Sequence, residues 1–199
     1  KSLEDLNRAI ELMPKYATAY NNRGNTLQYK GEYDRAIADY TTAIRLDPKQ
    51  YRPYMNRGRT WLLKGDLSKA IGDADLSIQF SKGPGNEREE SSLPLAIRGD
   101  LFRYRGDWSR ALADYDASLR VMKDAIYSFT GKGLTYEKMG KPDLARQEFT
   151  KAVESRSVDR NNDLSLESLR TAQARLAAIE AGAETPIIPA APSVTSNAT

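Results

Sequence analysis

The sequence contains no cysteine and no histidine. The absence of cysteine excludes disulfides, thiolate chemistry and cysteine-based zinc sites, and the absence of histidine removes the commonest general base and metal ligand. The sequence also has no phosphate-binding loop, no nucleophile elbow and no metal-ligand spacing. We therefore expect a protein that is not an enzyme and that binds no cofactor and no metal.

The sequence also lacks a long apolar run and an excess of one charge. No apolar segment approaches the roughly 18 residues of a membrane span, and 30 Lys and Arg stand against 27 Asp and Glu. A nucleic-acid-binding protein is expected to show a clustered basic face instead. We therefore expect no membrane insertion and no nucleic acid. With no targeting segment in the sequence, a soluble protein of either the cytoplasm or the periplasm fits.

What the sequence does contain is an internal repeat. Four sets of residues recur at intervals of 34, 41 and 34 residues. The sets are Gly24, Gly58, Gly99 and Gly133; Gly31, Gly65, Gly106 and Gly140; Ala36, Ala70, Ala111 and Ala145; and Ala43, Ser77, Ser118 and Ala152. One uneven interval shared by four sets indicates a repeat protein with a seven-residue insertion in its middle.

Each unit is predicted to be a pair of helices. In the unit 17–50, apolar residues recur at helical spacing on both sides of Gly31, where a left-handed turn ends the first helix. Asp34 is predicted to cap the second helix, and Pro48 to end it. Each helix buries too little by itself, so the units must stack.

The repeated positions resemble those of the tetratricopeptide repeat. Its fourth position is large here in Tyr20, Tyr54, Leu95 and Phe129, its eighth is always Gly, its twentieth is always Ala, and its twenty-fourth is Tyr40, Ala74, Tyr115 and Phe149. Ala74 departs from the aromatic residue that the family favours. The resemblance covers about residues 1–159 and implies an all-α fold, a right-handed α-solenoid of antiparallel helix pairs that forms a superhelix and ends in a C-terminal capping helix.

The repeat boundaries predict the organisation of the chain. Residues 1–16 match only a second helix, so the chain starts within a repeat, and we expect a longer parent chain or a partner to cover the apolar face at residues 3–13. The remaining segments are predicted to be repeats at 17–50, at 51–91 with an inserted loop at 83–91, at 92–125 and at 126–159, a capping helix at 160–183 and a disordered tail at 184–199.

A basic position and an acidic position recur with a constant offset of 16 residues. The basic residues are Arg23, Arg57, Arg98 and Lys132, and the acidic residues are Asp39, Asp73, Asp114 and Glu148. A basic ladder for an anionic ligand is one interpretation. We favour structural ion pairs between the two helices of each unit.

The resemblance also implies that the first helix of each unit lines a concave groove. The residues expected there to bind a peptide are Asn21, Asn22, Asn25, Tyr29, Arg52, Asn56, Arg59 and Arg103. Asparagine both donates and accepts hydrogen bonds, so it suits the backbone of an extended peptide, and the arginines suit an acidic one. The carboxylate clamp of some family members is incomplete, because Asn21 stands where that clamp needs a lysine.

We therefore expect a non-catalytic interaction scaffold that binds a peptide or protein segment in this groove. One alternative is a structural subunit that self-associates through its ends, helped by the N-terminal half-repeat. The other is an accessory domain of a larger enzyme.

Overall fold

The structure is a computed structural model that describes residues 2–81, 92–155 and 163–181. All of the regular elements in these ranges are α-helices. They are α1 (Leu3–Leu12), α2 (Ala17–Tyr29), α3 (Tyr33–Leu46), α4 (Tyr51–Leu63), α5 (Leu67–Ser81), α6 (Ser92–Arg105), α7 (Trp108–Val121), α8 (Ile126–Lys138), α9 (Pro142–Glu154) and α10 (Asp163–Glu180). The predicted insert at 83–91 and the predicted tail at 184–199 lie outside the described residues.

The helices α1 to α5 belong to the first of two compact units. Here α2 packs against α3 and α4 against α5, and the pairs are joined by contacts of α3 and α2 with α4. The helix α1 packs on α2 through the buried Leu6. A capping box fixes its first turn, in which the Ser2 hydroxyl accepts from the Asp5 amide and the Asp5 carboxylate accepts from the Ser2 amide.

The helices α6 to α10 belong to the second unit. Its pairs are α6 with α7 and α8 with α9, and α8 contacts both α6 and α7. The last helix, α10, packs against α8 and α9 together. Leu134, Phe149 and Ala172 form part of the apolar cluster where these three helices meet.

A glycine with positive φ ends the first helix of each pair. The φ angles are 78° at Gly31, 83° at Gly65, 82° at Gly106 and 67° at Gly140. A side chain at such a position strains the backbone, so glycine is favoured. The left-handed turn predicted at Gly31 is thus confirmed.

The prediction that Asp34 caps the second helix is wrong. The turn at Gly31 brings the chain into the helix earlier, so that Glu32 is the N-cap of α3, and it makes no side-chain capping bond. Asp34 lies within the first helical turn, where its carboxylate pairs with Lys64, the C-cap residue of α4. A negative charge in that turn is still favourable beside the helix dipole.

Small residues mark where the helices of a pair approach each other. The Ala36 and Ala111 side chains are fully buried. A Cβ atom built on Gly24 would lie 2.6 Å from Cε1 of Tyr40, and one built on Gly133 would lie 2.4 Å from Cε1 of Phe149. The aromatic ring of the second helix therefore occupies the space that a side chain at this glycine would need.

Candidate functional site

The first helices of the two pairs in the first unit, α2 and α4, bring most of the predicted groove residues together. We call this surface the α2–α4 face and define it by Asn21, Asn22, Asn25, Gln28, Tyr29, Arg52, Asn56 and Arg59. Asn21 and Asn56 are buried, Asn22, Asn25 and Gln28 are partly exposed, and Tyr29, Arg52 and Arg59 are exposed. The face therefore combines a polar floor with an exposed rim.

The three asparagines of the floor form a relay of hydrogen bonds. Nδ2 of Asn56 donates to Oδ1 of Asn21 at 3.0 Å, across the contact between α4 and α2. Nδ2 of Asn21 then donates to Oδ1 of Asn22 at 3.4 Å. Because burying an amide without a partner is costly, this relay satisfies the two buried side chains and fixes their orientation.

The buried ring of Tyr40 orients two more amides of the face. Its hydroxyl lies 2.8 Å from Oδ1 of Asn25 and 3.3 Å from Oε1 of Gln28, so the nearer Asn25 oxygen is the better acceptor. Burial raises the pKa of Tyr40 well above its ordinary value, and the nearby Arg59 opposes this only in part. Tyr40 therefore stays a neutral donor, and Arg59 lies within electrostatic range of it.

The rim carries two arginines and a tyrosine. Tyr29 is 81% exposed, which is unusual for an aromatic side chain and suits contact with a ligand. The Arg52 guanidinium stacks 5.7 Å from the ring centre of Tyr51. Arg59 has no hydrogen-bond or ion-pair partner in the described part of the chain.

The structure places the eighth predicted groove residue, Arg103, in the second unit and in a different environment. Its side chain is only 8% exposed, and it donates to Asp100 at 3.0 Å and to the Tyr115 hydroxyl at 3.4 Å. Burial opposes the charge, but Asp100 and Tyr115 raise the pKa of Arg103 above its ordinary value. Arg103 is therefore charged, and the partners of its guanidinium group lie within the second unit.

Each repeat places its basic position beside its acidic position. The Arg23, Arg57 and Arg98 guanidinium groups donate through Nε and Nη2 to both carboxylate oxygens of Asp39, Asp73 and Asp114, at 2.7–2.8 Å. Lys132 lies 3.5 Å from Glu148. The hydrogen bond that Arg23 donates to Asp39 raises the pKa of Arg23, so its guanidinium group stays charged.

Three of these basic residues also contact the second helix of the preceding repeat. Nη1 of Arg23 donates to Asn7 at 2.9 Å, Nη1 of Arg57 donates to Thr41 at 3.0 Å, and Nζ of Lys132 pairs with Asp116 at 2.9 Å. The sequence analysis missed these contacts. Each partner precedes its basic residue by 16 residues, so the partners are polar side chains at one position of the repeat. Arg23, Arg57 and Lys132 therefore each link three helices.

A second ion pair that the sequence analysis missed joins α10 to α8. Nε of Arg175 lies 3.0 Å from both carboxylate oxygens of Glu137, and the two side chains are 10% and 4% exposed. The Thr130 hydroxyl donates to the backbone carbonyl of Ser168 at 3.2 Å. No repeat signal could have found these contacts, because α10 stands outside the repeated positions.

None of the described helices is long and apolar enough to span a bilayer. No cluster of three or more histidine, cysteine, aspartate or glutamate side chains suited to a metal ion occurs in residues 2–81, 92–155 and 163–181.

Comparison with protein families decides the identity of the repeat. The tetratricopeptide repeat profile matches residues 17–50, which contain α2 and α3, and again residues 126–159, which contain α8 and α9. The chain therefore contains tetratricopeptide repeats. Tetratricopeptide repeats are in general non-catalytic modules for binding other proteins.

Solved structures with the same fold include other tetratricopeptide-repeat proteins. The Thermus thermophilus protein TTC0263 is 19% identical, with a TM-score of 0.67 over 85% of this chain and 88% of its own. YrrB, a repeat protein with an unusual peptide-binding site, is 19% identical, with a TM-score of 0.62 over 91% of this chain and 99% of its own.

The first repeat domain of Spaghetti (RPAP3), bound to the HSP90 peptide SRMEEVD, is also similar. It is 19% identical, with a TM-score of 0.55 over 62% of this chain and 93% of its own. At this level of identity these likenesses concern the fold alone. No curated protein sequence matches the chain.

Proposed function

We propose that this tetratricopeptide-repeat protein is a non-catalytic scaffold that binds an extended segment of a partner protein on its α2–α4 face. The observation that carries the proposal is the amide relay from Asn56 through Asn21 to Asn22, which holds polar groups in place beside the exposed ring of Tyr29. Oriented amides pair with a peptide backbone, and an exposed tyrosine packs on its side chains.

The fold relationship supports this function without identifying the ligand. YrrB has an unusual peptide-binding site, and the similar domain of RPAP3 was solved with a peptide bound. The relay consists of neutral amides, and the carboxylates of Asp39 and Asp73 are held in ion pairs, so neither set of groups supplies a nucleophile or a general base. We infer that the chain acts by binding and catalyses no reaction itself.

An unbiased peptide selection tests the proposal. The whole chain is screened against a random peptide library, and selected peptides are then measured against Asn22→Ala and Gln79→Ala. Asn22 is partly exposed on the α2–α4 face, whereas Gln79 is an exposed amide on the second helix α5. We expect binding to fall with Asn22→Ala and to be unchanged with Gln79→Ala. Peptides that lose equal affinity with both variants, or no selected peptide at all, would contradict the proposal.

Self-association is a second candidate function, which exposed apolar residues near α1 favour. Leu12, Met13 and Tyr16 are 64%, 52% and 47% exposed. Apolar side chains clustered on a surface often mark an interface between proteins. Light scattering tests this function, since a monomer at all concentrations would rule it out and a dimer lost in Leu12→Ser/Met13→Ser would support it.

A further inference from the structure

The two units differ in the charges that their first helices carry. The helices α2 and α4 contain no aspartate or glutamate but four arginines. Two of these, Arg23 and Arg57, are neutralised by Asp39 and Asp73 of the second helices. Arg59 has no such counter-ion within residues 2–81 and is exposed, so the α2–α4 face carries an uncompensated positive charge.

The amides of this face present donors next to that charge. The side-chain oxygens of Asn22, Asn25 and Gln28 are directed at groups within the unit, namely the Asn21 amide and the Tyr40 hydroxyl. Their NH₂ groups donate to no acceptor in the part of the chain that the structure describes. A ligand that supplies oxygen acceptors would therefore satisfy these groups.

In the second unit, most charges on the corresponding helices are paired within the unit. Lys138 at the end of α8 is exposed, and its charge acts on Glu137 of the same helix. Asp100 on α6 pairs with Arg103 of the same helix, and Glu137 on α8 pairs with Arg175 of α10. The Tyr115 hydroxyl donates to Asp100 at 2.7 Å, so the position that a neutral asparagine occupies in the first unit is already a charged acceptor here. The charges of these helices therefore act mainly on one another.

We propose that the α2–α4 face selects an acidic, extended segment of a partner protein. A carboxylate of the segment pairs with Arg59, and its backbone carbonyls accept hydrogen bonds from the NH₂ groups of Asn22, Asn25 and Gln28. Arginine suits this role because its guanidinium group binds a carboxylate through two parallel hydrogen bonds. The inference rests on the proposed function and adds to it the chemical class of the ligand and the unit that binds it.

Three labelled peptides of twelve residues test the ligand class. One alternates Glu and Ser, one alternates Gln and Ser, and one alternates Lys and Ser, and their affinities for the whole chain are measured by fluorescence anisotropy. We expect the Glu peptide to bind at least about tenfold more tightly than the Gln peptide, and the Lys peptide to bind least, because each tenfold step needs only one modest charge-assisted contact. The advantage of the Glu peptide should shrink as salt is raised.

A pair of charge variants tests the residue. Arg59→Gln should lower the affinity for the Glu peptide about ten- to a hundredfold. Arg45→Gln, which removes the same charge from an exposed position on the second helix α3, should leave the affinity within about twofold, because a charge outside the site acts only through screened long-range attraction. Circular dichroism checks that both variants retain the helical fold.

Several results would overturn the inference. They are a Glu peptide that binds no better than the Gln peptide or binds undetectably, equal losses from Arg59→Gln and Arg45→Gln, and tighter, Arg59-dependent binding of a twelve-nucleotide single-stranded RNA. The library selection separates this failure from that of the proposed function. If the selection yields neutral or basic peptides whose binding depends on Asn22, the proposed binding on the α2–α4 face is supported and the acidic preference is wrong.

Discussion

The repeats 17–50 and 92–125, one in each unit, place the same tyrosine in the same position but surround it differently. Tyr40 bonds to the neutral amides of Asn25 and Gln28, whereas Tyr115 bonds to the charged pair Asp100 and Arg103. Neutral amides leave donors over for a ligand, while opposite charges satisfy each other. One helix-pair framework thus supports one surface with unused donors and another whose charges are paired.

The comparison separates positions that build the fold from positions that vary. Glycine and alanine at the helix contacts are the same in both units because the tyrosine ring of the second helix packs directly against the glycine of the first, and because the alanine is fully buried. The residues that surround the tyrosine hydroxyl differ, since several polar arrangements satisfy one buried hydroxyl. The following experiments test this separation, from the largest expected effect to the smallest.

Overfilling a helix contact should have the largest effect, and a similar one in both units. Ala36→Leu and Ala111→Leu place a larger side chain at fully buried positions, which should cost about 1–3 kcal/mol of unfolding free energy. Ala38→Leu and Ala113→Leu alter exposed positions on the same helices and should change stability by less than about 0.5 kcal/mol. Urea unfolding measures the stability of all four variants. Equal midpoints for the buried and the exposed variant of the same helix would contradict the assigned helix contacts.

The ion pairs should differ between the first unit and the end of the second. Arg57 makes two hydrogen bonds to Asp73, whereas Lys132 lies 3.5 Å from Glu148 and closer to Asp116. In double-mutant cycles with Met for the base and Leu for the acid, we expect a coupling energy of about 1–3 kcal/mol for Arg57–Asp73 and a smaller one for Lys132–Glu148. A larger coupling for the lysine pair would show that bidentate geometry is not what matters.

Importing a charge from the second unit should abolish the difference between the faces. Asn25→Asp gives the first unit the carboxylate that Asp100 supplies in the second, close to Tyr40 and Arg59. We expect the affinity for the Glu peptide to fall about tenfold, since the new carboxylate competes for the arginine. Gln79→Glu on α5 adds the same charge at a distance and should have little effect. Equal losses in anisotropy titrations with the two variants would contradict the local competition.

The helix caps should show the smallest effect and the same pH dependence in both units. The Asp66 carboxylate accepts from the Lys69 amide and the Asp107 carboxylate from the Arg110 amide. Side-chain bonds to Lys69 and Arg110, and then these backbone bonds, lower the pKa of both carboxyls below the ordinary 3.8. Their stabilisation is therefore present above that value and is lost as pH falls through the lowered pKa.

Asparagine variants isolate this titration, because asparagine also caps helices but does not ionise. As pH is lowered from 6 to about 2.5, the wild type should lose stability relative to Asp66→Asn and Asp107→Asn. Thermal unfolding along the pH series measures the difference. A stability gap that stays constant with pH would show that these carboxyls titrate alike in the folded and unfolded chains.

The framework was predictable from the sequence because its causes are local and repeated. A glycine that must adopt positive φ, such as Gly31, leaves a signal in one residue. A small residue at a helix contact, such as Ala111, is recognisable because it recurs at the repeat interval. The capping position of α3 was assigned wrongly although the repeat interval held the signal, because Glu32 aligns with Asp66 and Asp107, which cap their helices.

The surface was harder to predict because exposure depends on partners from other helices. Arg59 and Arg103 both lie on the first helix of a pair. Arg103 is buried beside Tyr115 and Asp100, whereas Arg59 is exposed and no described residue covers it. Asn56 is buried at the contact between two repeats, where its Nδ2 group donates to Oδ1 of Asn21. A sequence pattern gives the position of a residue within its repeat, whereas these differences in exposure depend on the side chains that neighbouring helices place beside it.

Hydrogen exchange with and without the Glu peptide tests the central claim most directly, because it reports which helices a ligand contacts. We expect slower exchange of backbone amides in α2 and α4 on binding, and unchanged exchange in α6 and α8. Protection centred on α6 and α8, or no protection in either pair at saturating peptide, would contradict the claim that the unused donors of the first unit form the binding surface.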